Sequence, residues 1–318
     1  GVEPAGIGKH HLLDVLAHDN PMEIGRNRGT GGFITGRSDG RASGGAPSGR
    51  SGGHRRRADV AAAPFLSQPI ARPGKAGQRG IDPRINNSEG ASVSAQEGQF
   101  VYGNSLGFIG GYPSSRHSIS CAVIAESDAG MQRDYWYSTA RKASELESAV
   151  HVGRVTGERT LRRLDARKLK TTQAPVIFEA PLAAGLLANF VSAVSGGNLY
   201  RKTSFLLDSL GQPVFSPFIQ IREFAHTKGA LGSAPFDNEG VATQDRDVIR
   251  DGVLQGYFLS TYSARKLGMQ TTGNAGGNHN LIIEPGDLDF AGLLKKMDRG
   301  LVVTELLGQG VNPVTGDY

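Results

Sequence analysis

Apolar and polar positions divide the chain into a sparse amino-terminal stretch and a patterned remainder, and the strongest pattern lies in Pro175 to Gly211. There a β-type run, Val176, Ile177 and Phe178, leads into Glu179, and Pro181 follows where the fixed φ of proline suits a first helical turn. Leu182, Leu186, Phe190 and Val194 recur every four residues, which predicts a helix with one apolar face; Ser195, Gly196 and Gly197 are expected to end it. The same spacing argument predicts a closing helix over Phe290 to Arg299, with Phe290, Leu293, Leu294 and Met297 on one side and Gly300 as the stop.

Elsewhere the period is two. Gln99 to Tyr112 carries two β-rich runs around Gly103, Asn104 and Ser105, a hairpin signal. Further strands are expected over His117 to Ala125, Met131 to Tyr137, Val214 to Ala225, Val253 to Ser260, Leu281 to Ile283 and Leu301 to Leu306. Helices are expected over Ser138 to Val150, capped by Ser138 or Thr139, over His151 to Leu164 and over Thr261 to Leu267. Strands outnumber helices and come as hairpins more often than as strand-helix-strand units. The expected class is therefore α+β, with largely antiparallel or mixed sheets and packed helices.

Residues 1 to 80 differ from all of this. Between Arg26 and Arg57 eight arginines stand against one acid, Asp39, so this segment carries +7 while the chain as a whole carries +5. Large apolar side chains are almost missing, and a disordered, low-complexity basic arm is expected, with the patterned region at 81–318. A G/C-rich coding sequence read in a shifted frame would also give this mixture. Nucleic-acid or other polyanion binding through the arm is the alternative function, although there is no repeated RGG tripeptide and little aromatic interleaving for base stacking. No apolar run is long enough to span a bilayer, and one cysteine, Cys121, with no secretory pattern at the start, gives a cytoplasmic expectation. Cys121 itself reads as a small buried apolar residue.

Local catalytic motifs are scarce. There is no G-x-x-x-x-G-K-[ST] loop and no G-x-S-x-G elbow, and none of the eight histidines forms an H-x-x-H or H-x-x-x-H pair. His117, His226 and His279 could meet only through the fold. Two loops carry more signal. Phe236-Asp237-Asn238-Glu239-Gly240 sets two carboxylates in a turn, and Thr271 to His279 is a run of small polar residues in which Thr272, Gly273, Asn274, Gly276 and Gly277 could offer backbone groups to an extended peptide. The simpler reading of both is turn geometry.

The segments NSEGASVSAQEGQFVYGNSLGFIGGYPSSRHSISC, PVIFEAPLAAGLLANFVSAVSGGNLYRKTSFLLDSLGQ and FDNEGVATQDRDVIRDGVLQGYFLSTYSARKLGMQTTGNAGG, with the ending Leu301 to Tyr318, resemble the TldD/PmbA metalloprotease family, on its PmbA (TldE) side. The resemblance covers about Ile81 to Tyr318. It implies a heterodimer of two related subunits in the cytoplasm that cleaves unfolded peptides, with zinc in the TldD-type partner. In that partner a helix carries His-Glu-x-x-x-His, two zinc ligands and a general base, and a later cysteine completes the site. The matching slot here is Phe178-Glu179-Ala180-Pro181-Leu182-Ala183: the glutamate is kept and both histidines are replaced, so the resemblance implies no metal bound by this chain and no catalytic residue of its own. Cys121 lies far upstream of the family's cysteine. The chain also stops where the family continues, so missing strands are expected to leave unpaired edges.

The polyanion alternative has a direct test. Deleting residues 26–57 should abolish salt-sensitive RNA or DNA binding by the purified chain, and unchanged binding removes that alternative.

Overall fold

The computed structural model describes residues 22–24, 82–306 and 311–317. The described residues fall into two compact units, one of 82–100 and 113–169, the other of 22–24, 101–112, 170–306 and 311–317. The expectation of a disordered arm over 1–80 falls outside the described residues except at Met22–Ile24, which is a strand.

Three strands form a meander, most of it in the unit that includes 113–169: β2 (Ile85–Gly103), β3 (Ile109–Ser127) and β4 (Gly130–Ala140), in that spatial order; β1 is Met22–Ile24. β3 and β4 pair antiparallel from His117 opposite Ala140 to Ser127 opposite Gly130. The period of two puts Ile119, Cys121 and Val123 on the inner face of β3, where they pack with Ala149 and Val152 of helix α1 (Ala149–Arg162). Thr156 is also buried there, its hydroxyl turned back to the Val152 carbonyl at 2.7 Å, so a polar side chain is satisfied locally at a helix-sheet contact.

The helix expected over Ser138 to Val150 is not formed. Ser138 and Thr139 are the buried end of β4, opposite Ile119 and Ser118, and Ser138 accepts a hydrogen bond from the Glu147 amide at 3.0 Å. Only a 3-10 turn, Ala143–Glu145, intervenes, and the cap of α1 is Ser148, which accepts from the His151 amide at 3.1 Å. The sheet took the residues that sequence spacing gave to a helix, because two more ladder pairs and complete burial outweigh a weak local propensity.

The other unit is built on an antiparallel sheet of order β1-β9-β6-β7-β8, with β6 Ile221–Phe224, β7 Arg246–Arg250, β8 Val253–Leu254 and β9 Asn280–Ile283. A separate parallel pair joins β5 (Val176–Phe178) to β10 (Leu301–Val303), so antiparallel and parallel pairing both occur, and with packed helices the class is α+β. The central helix is α2, Ala180–Ala193, with Pro181 in its first turn as its backbone requires. Its Leu186, Leu187 and Phe190 are buried with Ile221, Val248, Leu254 and Leu281 of the sheet in one core. Phe190 meets Phe215 edge to face at 5.0 Å between centroids.

Several expected strands are shorter in the structure. Val214 to Ala225 contracts to β6, since Pro217 lacks an amide and the chain turns at Ser216, whose carbonyl accepts from the Ile219 amide. Val253 to Ser260 contracts to β8. Beyond it the backbone pairs with the end of α2: the Phe258 amide donates to the Val194 carbonyl, and the Phe258 carbonyl accepts from the Gly196 amide. α2 ends at Ala193, just before Ser195, Gly196 and Gly197 as expected, and the two glycines then begin a further short helix, α3 (Gly196–Tyr200). The short helices α4 (Thr261–Leu267) and α5 (Phe290–Met297) fall where expected.

Gly196 is required by contact, not by φ. A Cβ there would collide with the Ser263 hydroxyl and stand 2.8 Å from Leu259 Cδ2. Gly196→Ala should therefore cost ~1–3 kcal/mol in chemical denaturation. Gly185, exposed inside α2 with nothing within 4 Å of an added Cβ, is the contrast; Gly185→Ala should stabilise by ~0.5–1 kcal/mol.

Candidate functional site

The slot that follows β5 is part of the frame. The Glu179 amide donates to the Val303 carbonyl of β10 at 3.0 Å, and the Glu179 carbonyl accepts from the Leu182 and Ala183 amides at 2.8 and 3.0 Å, so this residue joins the parallel strand pair to the first turn of α2. Phe178 packs against the main core, and Ala183 is buried in it. Neither side chain has a lone pair to offer a metal. A zinc ion therefore does not fit these two positions, and among the described residues no three His, Cys, Asp or Glu side chains stand close enough to hold one.

The other candidate groups are occupied elsewhere. Cys121 is buried in β3 and burial pushes its thiol up, against a smaller opposing effect of the Thr156 hydroxyl. His226 pairs with the Thr243 hydroxyl at 3.0 Å, while His279 is buried with its Nδ1 3.0 Å from Glu223.

The two loops singled out by sequence form one assembly. Asp237 is buried; its Oδ1 accepts from the amides of Glu239 and Val241 at 2.9 and 3.0 Å, and its Oδ2 accepts from the Ala275 amide at 2.9 Å. In return the Asn238 amide donates to the Ala275 carbonyl at 3.0 Å. Glu239 reaches the start of α4, accepting from the Thr261 amide at 2.8 Å and from its hydroxyl. Gly276, at φ 108°, lies against Asn238, and a Cβ there would strike the Asn238 amide group. The hairpin tip belongs to the same unit: Tyr102 and Phe108 close over Gly240, and Phe108 and Tyr112 meet Phe236 edge to face at 5.1 and 5.4 Å.

Beneath the glycine-rich loop lies a charge that sequence reading missed. Glu223 of β6 is 1% exposed. Its Oε1 accepts from the His279 amide at 2.7 Å and from Asn274 Nδ2 at 2.8 Å, and its Oε2 accepts from Arg246 Nε of β7 at 2.8 Å. Asn274 Oδ1 in turn accepts from Arg246 Nη2 at 3.2 Å and from the Thr272 hydroxyl at 2.7 Å. Burial opposes ionisation of Glu223, yet the His279 hydrogen bonds and the Arg246 charge outweigh it and hold the carboxyl below its ordinary value of 4.5. The guanidinium of Arg246 also lies over the Phe258 ring at 5.0 Å.

Of the five loop residues named from sequence, Gly273 and Asn274 are buried, Thr272 is half-buried with its hydroxyl accepting from the Leu259 amide at 2.8 Å, and Gly276 and Gly277 are exposed. The loop thus turns its side chains inward and presents glycine backbone outward. A signal for Glu223 did exist: it shares the inward phase with Ile221 and Ala225, where an acid must find partners.

Residues 74–164 match the model of the PmbA/TldA metallopeptidase central domain and residues 171–318 that of the PmbA/TldA metallopeptidase C-terminal domain. The chain belongs to the PmbA/TldD metallopeptidase family. It is 50% identical over 237 residues to Metalloprotease PmbA of Escherichia coli O157:H7, covering 74% of this chain and 53% of that protein. A TldD homologue of Haemophilus influenzae is 29% identical over 155 residues, covering 45% of this chain and 32% of its own length. Among solved structures, a proposed modulator of DNA gyrase from Bacteroides thetaiotaomicron superposes with a TM-score of 0.71 at 31% identity, over 75% of this chain and 54% of that one. The chain spans about half the length of the curated PmbA relatives it matches. No described helix is long and apolar enough to cross a membrane.

Glu223→Gln leaves the largely covered Arg246 side chain, 12% exposed, without its charged partner and should cost ~3–5 kcal/mol at neutral pH. Because the native carboxyl sits below its unfolded value, its contribution is present above about pH 4.5 and is lost as pH falls through the depressed native value. Denaturation curves of the wild type should therefore converge on those of the variant in acid.

Proposed function

We propose that this chain is the PmbA-type, non-catalytic subunit of a zinc metalloprotease complex that degrades or processes unfolded peptides in the cytoplasm. The observation that carries this reading is the slot Phe178-Glu179-Ala183. Where two imidazoles would hold zinc, it has a core-packed phenylalanine and a buried alanine, and Glu179 joins β5, β10 and α2 through its backbone. Greater identity to a PmbA protein than to a TldD homologue supports the same side of the family.

In the complex, zinc belongs to a TldD-type partner, where it would polarise the scissile carbonyl and activate water. This chain contributes a rigid wall. Its loop of Thr272, Gly273, Asn274, Gly276 and Gly277 is set by Asp237 and Glu223, and the exposed glycine backbone at 276–277 is suited to contact with an extended peptide, where side chains would obstruct approach.

Reconstitution tests the assignment. Mixing the chain with a TldD-type partner should give chelator-sensitive peptide cleavage that this chain alone lacks. Stoichiometric zinc bound by this chain alone would contradict the non-catalytic role. Glu179→Gln in this chain should leave cleavage by the complex within about twofold, whereas loss of a working general base costs ~10²–10⁴ in rate.

A further inference from the structure

Helices α3 and α4 present a surface that neither the fold nor the slot after β5 explains. Gly196 lets α3 approach Ser263 of α4, and Tyr200 meets Tyr262 beside this contact, at 5.7 Å between ring centroids and 81° between planes. Tyr262 is 57% exposed. The Arg201 guanidinium lies over the Tyr200 ring at 5.2 Å, and Lys266 Nζ lies over the Tyr262 ring at 5.6 Å. Arg201 also donates to Asn198 Oδ1 and to the Tyr200 hydroxyl, both at 3.1 Å.

Lys202 and Arg265 adjoin these two cations in the chain, and all four are exposed. The sequence supplies no local counter-charge. From 180 to 207 and from 252 to 283 there is no aspartate or glutamate, and these four are the only lysines and arginines in both stretches. Among the described residues no ion pair reaches any of them, whereas Arg222, Arg246 and Arg250 of the same unit each meet a carboxylate. Arg201 and Lys266 are held instead by aromatic rings, which restrain a cation without neutralising it. A charged side chain already held in place loses less freedom on meeting an anion.

Position ties this face to the glycine-rich loop. Glu239 follows the Asn238 that lies against Gly276, and it accepts from the amide of Thr261, the residue before Tyr262 at the start of α4. The exposed glycine backbone and the basic face therefore share one frame.

We propose that the α3–α4 face binds the carboxylates of an acidic, extended peptide, with Arg201 and Lys266 as the principal contacts. The inference rests on the reading of this chain as a peptide-contacting wall and adds the substrate class, peptides rich in aspartate and glutamate. Charge complementarity selects the anion; the planar fork of Arg201 suits a carboxylate, and Lys266 adds a point charge. A nucleic acid suits the face less, because Tyr200 and Tyr262 meet edge to face and leave no platform on which successive bases could stack.

Fluorescence anisotropy with the full chain tests it, using dye-labelled probes of equal length: a Ser/Glu peptide, a Ser/Lys peptide and oligodeoxythymidylate. The Ser/Glu peptide should bind more tightly than the Ser/Lys peptide, and its binding should weaken as salt rises. Arg201→Gln with Lys266→Gln should weaken it ~5-fold or more, with the thermal midpoint unchanged. The arginine-rich segment at 26–57 is the same in both chains, so the difference reads the α3–α4 face alone. Arg201→Glu with Lys266→Glu should bind the Ser/Lys peptide more tightly than the wild type does. Equal binding of the Ser/Glu peptide by the wild type and the Gln variant overturns the proposal, as does a Gln variant that loses oligodeoxythymidylate more than peptide. Reconstitution with a TldD-type partner separates this inference from the peptidase reading. Cleavage of a neutral peptide with no loss of Ser/Glu binding in the Gln variant overturns the acidic-peptide site alone; no cleavage, with Ser/Glu binding that the Gln variant loses, overturns the peptidase reading and supports the site.

Discussion

The carboxylate of Glu223 holds the larger unit together at the point where sheet and loops meet. An ionised acid with 1% of its surface exposed is costly unless every lone pair is used, and here a histidine amide and ring, an asparagine amide and a guanidinium converge on it. Those donors come from β7 and from the loop that leads into β9, so one charge ties together segments that sequence separates by more than 50 residues. Apolar packing would have served stability as well. A charge with four directed bonds instead fixes which residues of the loop turn inward.

That constraint explains the character of the candidate site. Asn274 is consumed by Glu223, Arg246 and Thr272, and Asp237 binds the amide that follows it, so the loop has little freedom left. What remains on the surface is the backbone of Gly276 and Gly277. At the slot after β5 the architecture of a strand leading into a helix is complete, while the side chains are those of a core. Phe178 and Ala183 use this strand-to-helix backbone for packing.

The sequence was most legible where burial and periodicity agree. The strand of Val176–Phe178, the helix from Ala180, the helix of Thr261–Leu267 and the buried state of Cys121 follow from local pattern, since each side chain's environment is set by its near neighbours. Ser138 and Thr139 were assigned to a helix cap because their local preference is for caps and turns; only the partner strand β3 shows that they belong to a ladder. Gly196 was read as a stop because glycine often ends helices, whereas here the reason is the approach of Ser263, 67 positions later in the chain. The pairing of the two loops was illegible for the same reason. Asp237 and Ala275 each look like ordinary turn residues, and only the fold makes one the acceptor for the other.

The central claim is that the glycine-rich loop is a rigid part of the sheet unit, held by Glu223 and Asp237. Native-state hydrogen exchange at the amides of Val241, Ala275 and His279 tests it most directly. These three should exchange slowly and with a common opening free energy close to that of β6 and β7, and should speed up together in Glu223→Gln. Rapid exchange at Ala275 and His279 while β6 and β7 remain protected would contradict the account.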